Sequence, residues 1–168
     1  MSSIAAPESA TAPLSEGRRR ARRPLLVVHI VASVGLMGAV ASSVLVAIAA
    51  ASGKVGPHAA YELISLQAAV FGIPLSFASL LTGVALGRVT KWGVLAYRWT
   101  TAKLALQLLV ILNGAFVLGP TVSARLDGEG SGWGLVVAES VSVAMLLAAI
   151  VLSVFKPWGR RRALRDKR

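Results

Sequence analysis

Long uncharged apolar segments constrain the fold of this chain more than any other feature of its sequence. A transmembrane helix needs about 20 apolar residues to cross a hydrocarbon core of roughly 30 Å. Residues 25–52, 63–86 and 104–122 contain no Lys, Arg, Asp or Glu, and residues 133–155 contain one such residue, Glu139. The chain is 55% hydrophobic with a mean hydropathy of +0.70, which is too apolar for a soluble globular protein. We therefore predict an all-α, four-helix transmembrane bundle.

The predicted helices cover residues 25–52, 63–86, 96–122 and 133–155. The first helix is too long for a secretory signal peptide, whose apolar region is about 7–15 residues. Pro74 predicts a kink in the second helix, and Gly119 and Pro120 predict that the third helix stops there. The segments before the first helix and after the last are too poor in apolar residues to form a packed core. We therefore predict three parts: a disordered basic tail at residues 1–23, the transmembrane domain at 24–156 and a second basic tail at 157–168.

The distribution of Lys and Arg predicts the orientation of the bundle. Of the 18 basic residues, all except Lys54, Lys103 and Arg125 lie in the two tails or around the loop between the second and third helices. Cytoplasmic segments of membrane proteins are enriched in Lys and Arg. Short connections make consecutive helices antiparallel neighbours. We therefore predict an up-down-up-down bundle in a bacterial plasma membrane, with both termini in the cytoplasm.

The net charge of +11 does not by itself indicate nucleic-acid binding. The orientation rule and the attraction of basic segments to anionic lipids already account for the basic clusters. The predicted partners are therefore the lipid bilayer and its anionic lipids, and nucleic acid is not among them. The chain has no Cys, which excludes disulfides, thiolate metal sites, iron–sulfur clusters and cysteine nucleophiles.

Ionisable residues inside membrane segments are costly and commonly mark functional sites. His29 and Lys103 each lie five residues inside a predicted cytoplasmic helix end, at a depth of about 7–8 Å. Their matching depth suggests one inward-opening pocket for an anionic head group, a porphyrin propionate or an iron ion. Gln107 lies on the same helix face as Lys103, and Met37 offers a thioether to haem or Cu(I). These four residues are the candidate ligand-binding residues.

Each of these residues also has a structural explanation. Lys103 could extend its ammonium group to the interface while its stem stays in the membrane. His29 could form a hydrogen bond to a neighbouring helix, since one imidazole without a second ligand does not make a metal site. Met37 could be a core residue, and Gln107 could form hydrogen bonds between helices.

Small residues indicate where the helices approach each other closely. Gly83 and Gly87 form a G-x-x-x-G motif in the second helix, and Gly35 and Gly38 form a smooth patch on the first. Such residues allow backbones to come into contact, here within one subunit rather than between subunits. The oligomeric state does not follow from them.

Three polar residues on the predicted outer side form a second candidate site. They are His58, Glu62 and Glu139. Imidazole and carboxylate groups are common metal ligands, so these residues could form an external cation site. Alternatively, Glu139 shares one face of the fourth helix with Ser142, Leu146 and Ser153. Polar stripes of this kind commonly face the bundle interior and form hydrogen bonds between helices.

Three stretches of the chain resemble known membrane proteins: residues 29–38 (HIVASVGLMG), 97–106 (YRWTTAKLAL) and 155–159 (FKPWG). Together they resemble a family of small bacterial four-helix membrane proteins of unknown function, over roughly residues 24–159. More distantly, the first two stretches are similar to copper-resistance D membrane proteins and haem-binding HemJ-type protoporphyrinogen oxidases. That resemblance implies a functional role for His29 and Lys103, and Gly38 also matches the pattern. Leu36 stands where those families have Trp.

Three functions remain open from the sequence. The first is a non-enzymatic integral membrane protein with a structural or small-ligand-binding role. The second is a haem-binding membrane oxidoreductase, and the third is a permease for copper or another small solute. A Soret absorption band in the purified protein would indicate the second function and bound metal the third, whereas neither signal would indicate the first.

The charge distribution generates a prediction about topology. A reporter fused after Arg168 should report a cytoplasmic location, and a reporter inserted at Gly128 should report the opposite side of the membrane. Paired reporters that are active on different sides of the membrane would measure both positions. A cytoplasmic location for Gly128 would contradict the four-span topology.

Overall fold

The computed structural model describes residues 16–90, 94–95, 97–128 and 132–155 of the chain. These residues form four long helices, α1 (Glu16–Ala51), α2 (Pro57–Val89), α3 (Arg98–Leu126) and α4 (Trp133–Phe155). Each helix is long and apolar enough to cross a membrane. None of the described residues forms a strand. The all-α, four-helix fold predicted from the apolar segments is therefore confirmed.

The helix bounds differ from the apolar segments at several ends. α4 has the predicted bounds, whereas α2 begins earlier, at Pro57, because the first helical turn needs no N–H from that residue. Residues 16–23, predicted to be disordered, are helical as the start of α1. Five of its eight residues are Arg, which has high helix propensity. The rest of the two predicted tails, residues 1–15 and 157–168, lies outside the described residues.

The predicted stop of α3 at Pro120 is wrong, because the helix continues to Leu126. A proline ring collides with the carbonyl group four residues earlier in a regular α-helix. In α3, Gly114–Leu118 form a π-helical turn, and the N–H of Gly119 donates to the carbonyl oxygen of Gly114. This wider turn gives the ring room, so the helix passes through the proline without ending.

α2 accommodates its internal proline in the same way. Ala68–Gly72 form a π-helical turn directly before Ile73 and Pro74. In both helices an amide residue comes just before the π turn and seven residues before the proline: Gln67 in α2 and Asn113 in α3. The irregularity predicted at Pro74 is therefore a local widening of the helix.

Each helix packs against two neighbours. The backbones of α1 and α2, α2 and α3, α3 and α4, and α4 and α1 approach each other closely, whereas no described Cα atom of α1 lies within 8 Å of one in α3. α1 and α3 are therefore diagonal, and the up-down-up-down arrangement is confirmed. We call the end of the bundle where α1 begins and α4 ends the tail end. The opposite end, where Ala51 and Trp133 lie, is the loop end.

Buried apolar residues form layers along the bundle. At the loop end one cluster joins all four helices and contains Ala47, Ala50, Ala60, Tyr61, Ile64, Val122, Leu135 and Val136. A second cluster, formed by Leu36, Val110 and Leu146, closes the middle of the bundle. No further buried cluster occurs in the described residues towards the tail end, where a cavity lies between the helices.

Two of the predicted packing glycines lie where α1 meets α2. A Cβ atom at Gly35 would lie 3.1 Å from Leu75 of α2, and one at Gly83 would lie 3.1 Å from the ring of His29 of α1. Both glycines therefore allow α1 and α2 to approach closely, as small residues do in membrane helices.

The other two predicted packing glycines differ from each other. A Cβ atom at Gly87 would lie 2.7 Å from the side chain of Val94 and 3.2 Å from its backbone, in the connection between α2 and α3. At Gly38, no other described atom lies within 4 Å of the Cβ position. Gly38 therefore does not pack in the way that its sequence pattern predicts.

These contacts predict opposite effects for two matched substitutions. Gly87→Ala should lower the melting temperature in detergent, because overpacking against a backbone costs about 1–3 kcal/mol. Gly38→Ala should leave it unchanged or raise it, because Ala is favoured over Gly in a helix by roughly 0.5–1 kcal/mol. Identical melting temperatures for the two variants would contradict the close approach at Gly87.

Candidate functional site

The cavity at the tail end brings together the four candidate ligand-binding residues. It has a volume of about 550 Å³, and residues from all four helices line it. His29 and Met37 line the cavity from α1, and Lys103 and Gln107 line it from the diagonal helix α3. Cavities of about 300–1,000 Å³ with apolar walls and a few polar groups are typical of small-ligand sites. The structure thus places the predicted residues around one space of suitable size.

The imidazole of His29 is held in one orientation by α2. Its Nδ1 lies 3.0 Å from the hydroxyl oxygen of Thr82, and that hydroxyl donates to the carbonyl oxygen of Ala78 at 2.6 Å. With its proton used in this way, the Thr82 hydroxyl accepts a hydrogen bond from Nδ1–H. In the neutral ring, Nε2 then carries the lone pair. The predicted hydrogen bond to a neighbouring helix is therefore present.

Lys103 contributes a positive charge to the cavity wall. The residue is half-buried, and no carboxylate in the described part of the chain lies within ion-pair distance of its ammonium group. Arg22 also lines the cavity, and the lining residues include no Asp or Glu. One turn beyond Lys103, the Gln107 amide donates to the backbone carbonyl of Ser76 at 3.2 Å and ties α3 to α2. In the part of the chain that the structure describes, the cavity is therefore an apolar space that contains positive charge and no acidic lining residue.

Met37 and His29 cannot bind the same metal ion in this arrangement. They are eight residues apart on α1, which corresponds to about 12 Å along the helix axis. Bonds from metal ions to nitrogen or sulfur are about 2 Å long. Across the described ranges, no group of three or more His, Cys, Asp or Glu residues could hold a metal ion.

Sequence reasoning did not identify three further residues of the cavity wall. Trp99 is buried, with 8% of its surface exposed, and lines the cavity one turn before Lys103. Ser33 of α1 and Ser79 of α2 also line it and form a hydrogen bond between their hydroxyl groups at 2.9 Å. The spacing of four residues between Trp99 and Lys103 was an available signal, because residues four apart lie on one helix face.

The predicted external site does not form, because Glu139 is inside the bundle. His58 and Glu62 are exposed, one turn apart on α2, and 3.4 Å separates His58 Nε2 from Glu62 Oε1. Glu139 is only 5% exposed. It lies on the face of α4 that carries the buried residues Leu135 and Ser142. Glu139 therefore faces the interior of the bundle, whereas His58 and Glu62 face outwards.

Glu139 belongs to a polar layer between the two apolar clusters. On one side of this layer, Asn113 donates to the hydroxyl of Ser142 at 2.8 Å. On the other side, Gln67 donates to the hydroxyl of Ser42. The carboxyl group of Glu139 has no hydrogen bond or ion pair with any described residue. Asn113 and Gln67, the amide residues directly before the π turns, therefore join α3 to α4 and α2 to α1, respectively.

Comparison with known proteins does not assign the chain to a family. No protein-family model, no curated protein and no solved structure matches it. The interpretation of the cavity therefore depends on the geometry of this chain, and the family resemblance of its sequence stays a prediction.

The position of Glu139 generates a prediction about stability. Glu139→Gln should melt at or above the temperature of the parent in detergent at neutral pH, because a buried carboxylate without a cation is costly and Gln has the same shape without the charge. Glu62→Gln, on the exposed surface, is the control and should change stability by less than about 0.5 kcal/mol. A large loss of stability specific to Glu139→Gln would show that the carboxylate has a charged partner.

Proposed function

We propose that the protein binds an amphipathic molecule with an anionic head group in the cavity at the tail end, as a non-enzymatic protein of the bacterial plasma membrane. The observation that carries this proposal is the ammonium group of Lys103 in an apolar cavity whose lining residues include no acid. A cation in a low-dielectric site is costly unless an anion pairs with it. A carboxylate or phosphate ligand would supply that anion.

The other polar groups of the cavity suit the same ligand. The ammonium of Lys103 and the guanidinium of Arg22 can form charge-assisted hydrogen bonds to anionic oxygens. His29 Nε2 can accept a hydrogen bond from a protonated or hydroxylated head group. The apolar walls, which include Leu26 and Leu104, can cover a hydrocarbon body. The cavity therefore offers polar groups to the head group of an amphipathic ligand and apolar walls to its hydrocarbon body.

The concentration of basic residues supports the placement of the tail end in the cytoplasm. Arg20, Arg22 and Arg23 are exposed on α1, and Arg88 and Arg98 are exposed where α2 ends and α3 begins. Such clusters lie on the cytoplasmic side of most membrane proteins and attract anionic lipids. The cavity would then be at the depth of the cytoplasmic leaflet.

Haem is the second candidate ligand, and the orientation of His29 favours it. The hydrogen bond to Thr82 directs Nδ1–H away from a ligand and leaves Nε2 as the donor atom for an iron ion. Haem would supply redox chemistry, and its propionates would meet Lys103. A Soret band in the purified protein that disappears in His29→Ala would establish haem in place of a simple anionic amphiphile.

The main test is a titration with dodecyl phosphate in an uncharged detergent, followed by tryptophan fluorescence because Trp99 lines the cavity. Lys103→Met should raise Kd at least about tenfold. Hydrogen bonds to charged groups contribute roughly 1.5–3 kcal/mol, and 1.4 kcal/mol corresponds to a factor of ten.

Two controls make the titration specific to the cavity. Arg88→Met removes an exposed cation that does not line the cavity and should leave Kd unchanged. Dodecanol, which has no charge, should bind the parent and Lys103→Met equally. Equal Kd values of the parent and Lys103→Met for dodecyl phosphate would contradict the proposal.

A further inference from the structure

The exposed residues of the cavity wall show where the cavity opens. Every lining residue that is exposed belongs to α1 or α4: Arg22, Leu26, Ile30, Val34 and Ile150. The lining residues from α2 and α3 are all buried or half-buried. The opening therefore lies between α1 and α4.

Contacts close two of the other seams near the cavity. Between α1 and α2, His29 forms a hydrogen bond with Thr82, and Ser33 forms one with Ser79. Between α2 and α3, buried Trp99 and Val94, which packs against Gly87, line the cavity. α1 and α4, in contrast, are held together by the buried clusters in the middle and at the loop end, and they leave a gap towards the tail end.

We infer that this gap is a lateral entrance from the bilayer, and that the ligand is an anionic lipid of the surrounding leaflet whose acyl chain passes between α1 and α4. The inference rests on the proposed function and specifies its ligand. An entrance flanked by Leu26, Ile30, Val34 and Ile150 presents hydrocarbon to an entering molecule, and each of these side chains is more than 40% exposed. A water-soluble anion would have to cross this apolar surface, whereas an acyl chain enters it from a matching environment.

Charge and length fit the same ligand. Arg22 lies at the tail end of the gap, and Lys103 lies on the wall opposite α1. The gap extends along α1 from Arg22 to Val34, which is about 18 Å at 1.5 Å per residue. An anionic head group can interact with Arg22 at the end of the gap and with Lys103 inside the cavity while a chain follows the gap inwards. The entrance thus has a basic end that suits the head group of an anionic phospholipid and an apolar stretch that suits its acyl chain.

The experiment uses Trp99 as a reporter inside the cavity. Phe substitutions at Trp92, Trp133 and Trp158 leave Trp99 as the remaining tryptophan, and the protein is reconstituted in vesicles of phosphatidylcholine. Phosphatidylglycerol with brominated acyl chains is then added, because bromine quenches tryptophan fluorescence on contact. With 8% of its surface exposed, Trp99 has little contact with lipid outside the bundle. Brominated phosphatidylglycerol should quench Trp99 at least about twice as strongly as the same fraction of brominated phosphatidylcholine.

Matched variants test the entrance itself. Val34→Phe narrows the gap and should at least halve the quenching, and Ile150→Phe should do so from the opposite side. Val31→Phe is the control, because Val31 is as exposed as Val34, at 64% against 65%, but does not line the cavity. Equal loss of quenching in Val34→Phe and Val31→Phe would overturn the entrance.

The remaining outcomes separate this inference from the proposed function. If Trp99 responds to dodecyl phosphate in detergent but not to brominated phosphatidylglycerol in vesicles, the cavity binds anions and the lateral entrance is wrong. If it responds to neither probe, the proposed function is wrong as well. Equal quenching by brominated phosphatidylglycerol and phosphatidylcholine would overturn the assignment of an anionic lipid.

Discussion

Helices inside a bilayer gain little hydrophobic free energy by meeting, because lipid tails are as apolar as the side chains that the helices would bury. Close backbone approach and hydrogen bonds between helices have to hold such a bundle together. The seam between α1 and α2 shows both: Gly83 lets the ring of His29 lie against α2, and Thr82 and Ser79 provide hydrogen bonds. Beside these contacts, exposed residues of α1 and α4 line the cavity towards the tail end.

The two π turns show how the chain places polar groups in the membrane without losing helical structure. Pro74 and Pro120 would each interrupt a regular helix, yet the wider turn before each proline keeps the backbone continuous. The amide groups of Gln67 and Asn113 lie directly before these turns and bond to neighbouring helices. Proline, π turn and amide therefore form one unit that occurs twice. The two amides belong to the polar layer between the two apolar clusters, on the loop-end side of the cavity.

Much of the fold follows from the sequence, because charge and apolar length decide where a helix can cross a membrane. The bounds of α4 could be predicted in this way, and the prediction that His29 and Lys103 share one pocket agrees with their place on one cavity. The rotation of each helix could not be predicted from charge and apolar length, since depth does not say which neighbour a side chain meets. The stripe of Glu139, Ser142 and Leu146 does predict a helix face that turns inwards, and all three residues are buried, whereas the external site with His58 and Glu62 is not found. The opening of the cavity between α1 and α4 has no signal in the apolar pattern. α3 continues past Pro120 because of a π turn, and the residue pattern of the sequence does not predict that turn.

The central claim is that Lys103 and His29 face one space that an anionic lipid enters between α1 and α4. A structure of the protein in a lipid nanodisc containing phosphatidylglycerol would test it most directly. The account predicts density for a head group beside the Lys103 ammonium and for an acyl chain that leaves the bundle between Val34 and Ile150. A bundle in which α1 and α4 touch as far as Ile30, with the Lys103 ammonium outside in the head-group layer, would contradict it.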